Sequence, residues 1–403
     1  MRTTTGLRFL LLSAAIPLAG AANELPVNWT GLPPPYHTPS NARSPLLVAR
    51  PEGAVLTAPV GFKVEEYFEG FSAPRFMALG PKQELLVSDT KDNAVYVVRD
   101  GKKSRLVAGL DRPYGLAFRN EWLYVAEATS VKRYAYDAKT GKIRGKGEEI
   151  IALKGFGHGH ITRTLLFDAQ GEKLYVGIGS RSNIDIGEHP MRAAINRFNP
   201  DGSAHEIYAS GLRNPVGLRW YPGTSELWAT SVERDGLGDD LPPDFLTRVE
   251  RGGYYGWPYA YIGPHEDPKH KGAAPEMVRK TLYPSVLLGA HVAALDFIFY
   301  TGTAFPKKYR GGCFVALHGS WNRSKPSGYK ISFIPFENGK PIAGPEDFLT
   351  GWLLSADEPR TWGRPVGLLQ MPDGSMLVSD DGGGRIWRVS YVGSAHETER
   401  IVR

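Results

Sequence analysis

The sequence predicts an all-β fold, a six-bladed β-propeller with long inter-blade loops. Three observations predict it. One pattern recurs along the chain. Within each copy, apolar and polar residues alternate with period two between turns rich in Gly, Pro, Asp and Asn. The 47 glycines and 31 prolines among 403 residues are spread throughout, which favours many tight turns over long helices.

The copies read as follows. RFMALGPKQELLVSDTKDNAVYVVRDG begins at Arg75, RPYGLAFRNEWLYVAEATSVKRYAYD at Arg112 and RTLLFDAQGEKLYVGIGSRSN at Arg163. RNPVGLRWYPGTSELWATSVERDG begins at Arg213 and RPVGLLQMPDGSMLVSDDGGGRIWRVSY at Arg364. Between the last two, AALDFIFYTG and GGCFVALHGSW form a degenerate copy. Each unit has an Arg entering an apolar strand, then a turn such as Pro372-Asp373-Gly374, an alternating strand and an outer strand. Antiparallel repeats of this size point to propeller blades. GFKVEEYFEG at 61–70 is suited to close the ring by pairing into the last blade, which removes two exposed edges. Arg112, Arg163, Arg213 and Arg364 then gather near one face of the central channel. They serve there either to hold an anion or to tie neighbouring blades together.

The first residues, MRTTTGLRFLLLSAAIPLAGAANELP, combine a basic start, a short apolar run and small residues. This is the pattern of a secretory signal peptide, assigned to residues 1–22. It implies an exported protein, periplasmic or secreted. Residues 23–60, with LPPPYHTPS, read as a Pro-rich extended arm, and 61–403 as a single propeller catalytic domain. No later run approaches transmembrane length, so the chain is expected not to span a membrane. Loss of Arg2 and Arg8 with the signal takes the formal charge from +6 to about +4. The remaining basic residues are scattered, which argues against nucleic acid as a partner. Cys313, the only cysteine, lies in the buried-strand pattern CFVAL and excludes an intrachain disulfide.

Three stretches carry chemistry. GFGHGHITRTLLF places His158, His160 and Arg163 at the mouth of a strand. Zinc would need a third ligand that is not evident. A nicotinamide site would need a GxGxxG turn inside a βαβ unit, and a serine hydrolase a GxSxG elbow; neither is present. VERDGLGDDLPPDF places Asp235, Asp239, Asp240 and Asp244 in a Gly- and Pro-rich loop. Such a loop suits a hard cation, which takes carboxylate and main-chain carbonyl oxygens, and equally suits a solvated surface. ALHGSWNRSKPSGYK gathers His318, Trp321, Asn322 and Arg323. Trp321 can stack on a flat ligand and Arg323 can pair with a carboxylate, or the group forms a packed blade corner.

Taken together, GHGHITRTLLF, YASGLRNPVGL, ERDGLGDDLPPDFL, GGYYGWPYAYIG, HGSWNRSKPSGYK and WGRPVG resemble the soluble quinoprotein sugar dehydrogenases, the glucose/sorbosone and pyranose dehydrogenases, and most of all the L-sorbosone dehydrogenase branch. The resemblance runs over about residues 60–395. It implies a six-bladed propeller with pyrroloquinoline quinone (PQQ) and Ca²⁺ on its top face, oxidising an aldose or an aldosone such as sorbosone. PQQ is a flat ortho-quinone with three carboxylates, which explains a need for arginines. By the same resemblance His160 is the general base and Arg213 lies beside the quinone oxygens. Asn214, His318, Trp321, Asn322, Arg323 and Arg364 belong to the cofactor pocket. Gly236 and Leu237 offer carbonyls to Ca²⁺, with Asp239 and Asp240 supporting that loop or holding a second ion.

The sequence departs from the glucose-specific branch. Leu237 stands where that branch has a proline, Val366 where it has a second arginine, and the Arg112-Pro113-Tyr114 region where it has a substrate glutamine. These differences argue against glucose itself. Substrate contacts are expected on loops 184–195 and 262–292. The chain has no CxxCH haem motif, so electrons are expected to leave to an external acceptor, a cytochrome or a quinone. Two other readings stay open from the residues alone: a Ca²⁺-dependent propeller lactonase, and a non-catalytic carbohydrate-binding propeller.

Overall fold

The computed structural model describes residues 24–393; the assigned signal peptide lies outside them. Six four-stranded antiparallel sheets form the blades of a propeller. Their innermost strands are Pro74–Leu79, Leu116–Arg119, Arg163–Phe167, Pro215–Trp220, Ala294–Phe299 and Pro365–Gln370. Each packs against the next, and the last against the first. The sixth blade takes its outer strand, Phe62–Glu69, from the start of the propeller, paired antiparallel to Arg385–Tyr391. The ring is thereby closed by a sheet and not by a loop.

The recurrent Gly of the copies has a packing reason. A Cβ on Gly115 would lie 2.4 Å from the Arg163 carbonyl oxygen, and one on Gly367 2.2 Å from that of Arg75. Inner strands of adjacent blades therefore approach backbone to backbone, which only glycine permits. Core clusters lie between adjacent sheets, as with Phe314, Trp352, Trp362 and Val378 between the fifth and sixth blades. Cys313 is fully buried in the cluster between the fourth and fifth blades, with Trp228 and Leu246, and its thiol is pushed well up by burial.

Residues 24–60 run over the surface of the later blades. Val27 N–H donates to Ser285 O, Arg43 N–H to Trp321 O, and Leu46–Leu47 pairs parallel with Arg360–Thr361. The longest excursion is within the fourth blade, between Pro243–Val249 and Val286–Ala290. It holds a two-stranded turn and the helix Pro275–Lys280. No helix among the described residues is long and apolar enough to cross a membrane.

Candidate functional site

Innermost strands begin, and second strands end, on one face of the ring, because the two are antiparallel. The segments that precede the former and follow the latter carry most of the residues singled out from the sequence. His160 precedes Arg163–Phe167, and Gly179-Ser180 follow Leu174–Ile178. Arg213-Asn214 precede Pro215–Trp220, His318 follows Cys313–Leu317, and Asp381 follows Met376–Asp380.

Around His160 the structure builds a rigid corner. Its N–H donates to Ser180 O at 3.1 Å and its ring Nδ1 lies 2.9 Å from the same oxygen. A carbonyl only accepts, so Nδ1 carries the proton and Nε2 presents a lone pair. Burial and the nearby Arg213 guanidinium push the His160 pKa down to about 3, so the ring is neutral. Arg163, fully buried, holds this loop from beneath: Nη1 donates to His160 O and Thr162 O, and Nη2 to Phe156 O. It is therefore a clamp on main-chain carbonyls. Arg112 bonds Asp111 and Gly157 O at the surface. The gathering of four leading arginines expected from the repeats is thus reduced to two, Arg213 and Arg364, at the mouth itself.

Ser180 N–H donates to Arg213 O, which joins this corner to the next blade. The Arg213 side chain donates to Asn183 O and Oδ1 and to Glu233 O, and lies 3.3 Å from an Asp235 carboxylate oxygen. Asp235 also faces His291 at 3.4 Å, and the contact raises the His291 pKa against the opposing effect of burial. Asn214 is buried and its Oδ1 has no hydrogen-bond donor. A buried polar atom without a partner marks a place for a ligand or an ordered water.

A second group closes the opposite side. His318 Nε2 lies 2.8 Å from Asp381 Oδ1, and Arg75 is 3.3 Å from the other oxygen. Arg364 donates to His318 O and Gly319 O, and its guanidinium lies over the Tyr329 ring. Burial and then Arg364 push the His318 pKa down to about 4. The Asp381 carboxyl is held far below the usual range because the charges of His318 and Arg75 outweigh burial.

Between the two groups, the acidic loop is tied down. Gly236 N–H donates to Asn322 Oδ1, and Leu237 O accepts from Tyr36 N–H. Asp239 Oδ1 accepts from Ser324 N–H, and Arg323 pairs with Asp240 at 2.7 Å. Asn322 also accepts from Ser40 and donates to Asn41 O. Arg323 and Asn322, read from the sequence as cofactor contacts, and Asp239 and Asp240, read as metal support, here bind one another's loops. Trp321 is 47% exposed. Among the described residues no three His, Cys, Asp or Glu side chains are grouped to hold a metal ion.

Sequence reasoning missed Ser180, Asn183, Glu233 and Asp381. None of the four left a trace in the repeats: the recurrent Ser-Asp ending of second strands in LLVSDT and MLVSDD is Ser88-Asp89 and Ser379-Asp380, one residue before Asp381. The four act through main-chain oxygens or contacts remote in sequence.

Six blades thus close around a channel whose mouth carries a neutral histidine, two arginines and an asparagine with an unpaired oxygen. The TrAA12-like family profile matches residues 56–241 and 269–392, most of the chain, and the protein belongs to that family. An uncharacterised protein of Borreliella burgdorferi is 32% identical over 352 residues, covering 84% of this chain and 91% of that one. A pyrroloquinoline quinone-dependent pyranose dehydrogenase of Coprinopsis cinerea is 25% identical over 408 residues, covering 81% of this chain. This chain spans about half the length of that relative, 53%. Among solved structures, the PQQ domain of the C. cinerea pyranose dehydrogenase in its holo form superposes with TM-score 0.71 at 20% identity, covering 84% of this chain and 97% of that one. A calcium structure of the Trichoderma reesei Family AA12 enzyme superposes with TM-score 0.72 at 21% identity, covering 86% and 98%.

Proposed function

We propose that the protein is an exported quinoprotein oxidoreductase that oxidises an aldose or aldosone, with PQQ bound at the channel mouth and electrons passed to an external acceptor. The observation that carries this reading is His160: a histidine kept neutral, its Nδ1 proton committed to Ser180 O. Such a ring presents the Nε2 lone pair as a proton acceptor. The family membership and the C. cinerea relative support the chemistry.

The residues present fit PQQ. Arg213 and Arg364 supply fixed positive charge for carboxylates, and Asn214 is a buried amide with an unpaired atom. Arg364 Nη1 has no protein partner among the described residues, since its bonds run through Nε and Nη2. Bound PQQ would supply a two-electron acceptor for hydride. His160 Nε2 takes the proton of the hydroxyl on the carbon that loses hydride. Arg213 orients that hydroxyl and its positive charge keeps His160 unprotonated. For calcium, the Gly236 and Leu237 carbonyls remain the proposed ligands. Leu237 O keeps a second lone pair beside its bond to Tyr36. Trp321 would wall the pocket by stacking.

The test is to add PQQ, with and without Ca²⁺, to purified apoprotein and follow dye reduction with a panel of aldoses and aldosones. His160→Ala should keep PQQ bound and lose turnover. Lactone hydrolysis without PQQ, or no change in quinone absorbance on mixing, would overturn the reading.

A further inference from the structure

We propose a second ligand site, in the cleft between the third and fourth blades, that binds a neutral polyhydroxylated ring of monosaccharide size. The cleft has a volume of about 160 Å³ and is lined by Glu188, His189, Arg192, Tyr254, Trp257 and Tyr259, among others. That is comparable with the roughly 150 Å³ cavity that accepts a benzene-sized ring. It is separate from the channel mouth. The Asn183 carbonyl divides the two, accepting from Arg213 on one side and from Trp257 Nε1 on the other.

Arg192 is the anchoring observation. It is 6% exposed, Nη1 donates to Gly179 O, and the Phe156 ring covers it at 4.6 Å from Cζ. Nη2 is buried and has no acceptor. A buried guanidinium nitrogen left unpaired is costly, and a ligand oxygen in the cleft would relieve it. On the same cleft, Glu188 Oε1 is filled by Ser182 N–H and Ser182 Oγ, while Oε2 accepts only from Arg181 N–H and keeps a lone pair free. The set thus offers a fixed donor, a fixed acceptor and aromatic walls.

Charge decides the ligand class. An anion attracted to Arg192 would meet Glu188 and Asp185 on the same cleft, and a cation would meet Arg192. A hydroxyl both donates and accepts, so a polyol satisfies both ends. The C–H faces of a pyranose suit the Trp257 and tyrosine walls. The site is also coupled to the mouth. The Gly179 carbonyl held by Arg192 precedes Ser180, which holds the His160 ring.

The experiment is calorimetric titration of the full chain, without PQQ, with D-glucose, D-galactose and D-xylose, and separately with inorganic phosphate. At least one sugar should saturate the wild type and His160→Ala with equal affinity. Arg192→Lys, and independently Met277→Trp, which enlarges a wall residue on a short surface helix, should each weaken that binding at least tenfold. Circular dichroism would confirm that each variant is folded, and Met277→Trp decides if Arg192→Lys is not. The proposal is overturned if no sugar binds, if phosphate binds in place of sugar, if affinity survives Met277→Trp, or if it falls with His160→Ala. The last result would place the sugar at the oxidation site alone and leave the proposed function standing.

Discussion

The Nδ1 atom of His160 lies 2.9 Å from the carbonyl oxygen of Ser180, a residue of the neighbouring strand end. That one bond selects the ring tautomer, turns Nε2 outward and ties the ring to the segment that leads to Arg213. Four predictions follow from this corner and its surroundings.

The pH dependence should lack a histidine limb at its ordinary position. With the His160 pKa near 3 in place of 6.5, the ring stays unprotonated as the medium is acidified. In PQQ-loaded protein, kcat should be flat across about pH 5 to 7. The sign for stability follows from linkage. A depressed histidine pKa contributes stability that is complete above 6.5 and lost as pH falls toward 3. His160→Asn should therefore flatten the acid side of a melting-temperature profile. A kcat limb centred near 6.5 would refute the assignment.

Gly179→Ala should lower activity without unfolding the protein. The new Cβ would fall 2.3 Å from Asn214 Oδ1 and 2.6 Å from His160 Cβ. Displacement of about 1 Å at a reacting group costs about 100-fold in rate. Steady-state kinetics with PQQ in excess would show the loss in kcat, and a wild-type kcat would show that His160 need not be held in place.

Asn322→Ala should loosen the Gly236–Asp240 loop. Asn322 Oδ1 satisfies both the Gly236 N–H and the Ser40 hydroxyl, and its amide holds Asn41 O. Losing such a partly buried bond costs about 1–3 kcal/mol. Amide exchange over residues 235–240 and 38–43 should quicken together, because the extended arm and the loop share that side chain. Faster exchange in one segment alone would argue against a shared tie.

Glu233→Gln should stabilise the protein at alkaline pH. Glu233 is buried, its Oε1 is unpaired, and burial raises its pKa to about 8 despite the Arg213 charge. A carboxyl whose folded pKa lies above its unfolded 4.5 is stabilising in its neutral form. That contribution is present below 4.5 and is lost as pH rises toward 8. Glutamine has no proton to lose, so the gain in melting temperature over wild type should grow between about pH 5 and 8. An equal difference at both ends would mean that Glu233 is ionised in the fold.

Much of the propeller was legible because it is repetitive. Alternation in strands such as Lys173–Gly177 and the turns between them are local signals, and six copies reinforce one another. The closing strand at 61–70 was legible for the same reason, as an alternating segment with no other sheet to join. Arg213 and Arg364 could be singled out because each leads a copy of the repeat, and His160 and Asn214 because the blocks around them resemble a known family. Arg163 leads its copy as Arg213 does, but it is the first residue of its inner strand while Arg213 lies two residues before its own, and it turns beneath the loop and bonds carbonyls. The repeat specifies where a side chain starts, and its neighbours decide which way it goes.

By itself the sequence determined the sheet order, the face on which the inner strands begin and the residue types gathered there, since these follow from period, turns and spacing. Only the tertiary structure decided what those residues do to one another. It paired Arg323 with Asp240, gave Leu237 O to Tyr36, set Asp381 against His318 and left Asn214 and Arg192 with unpaired atoms. Each of these depends on distances between segments tens to hundreds of residues apart. Hydrogen bonds and burial act over a few ångströms of space, and nothing local in the chain records which distant groups will fall within that reach.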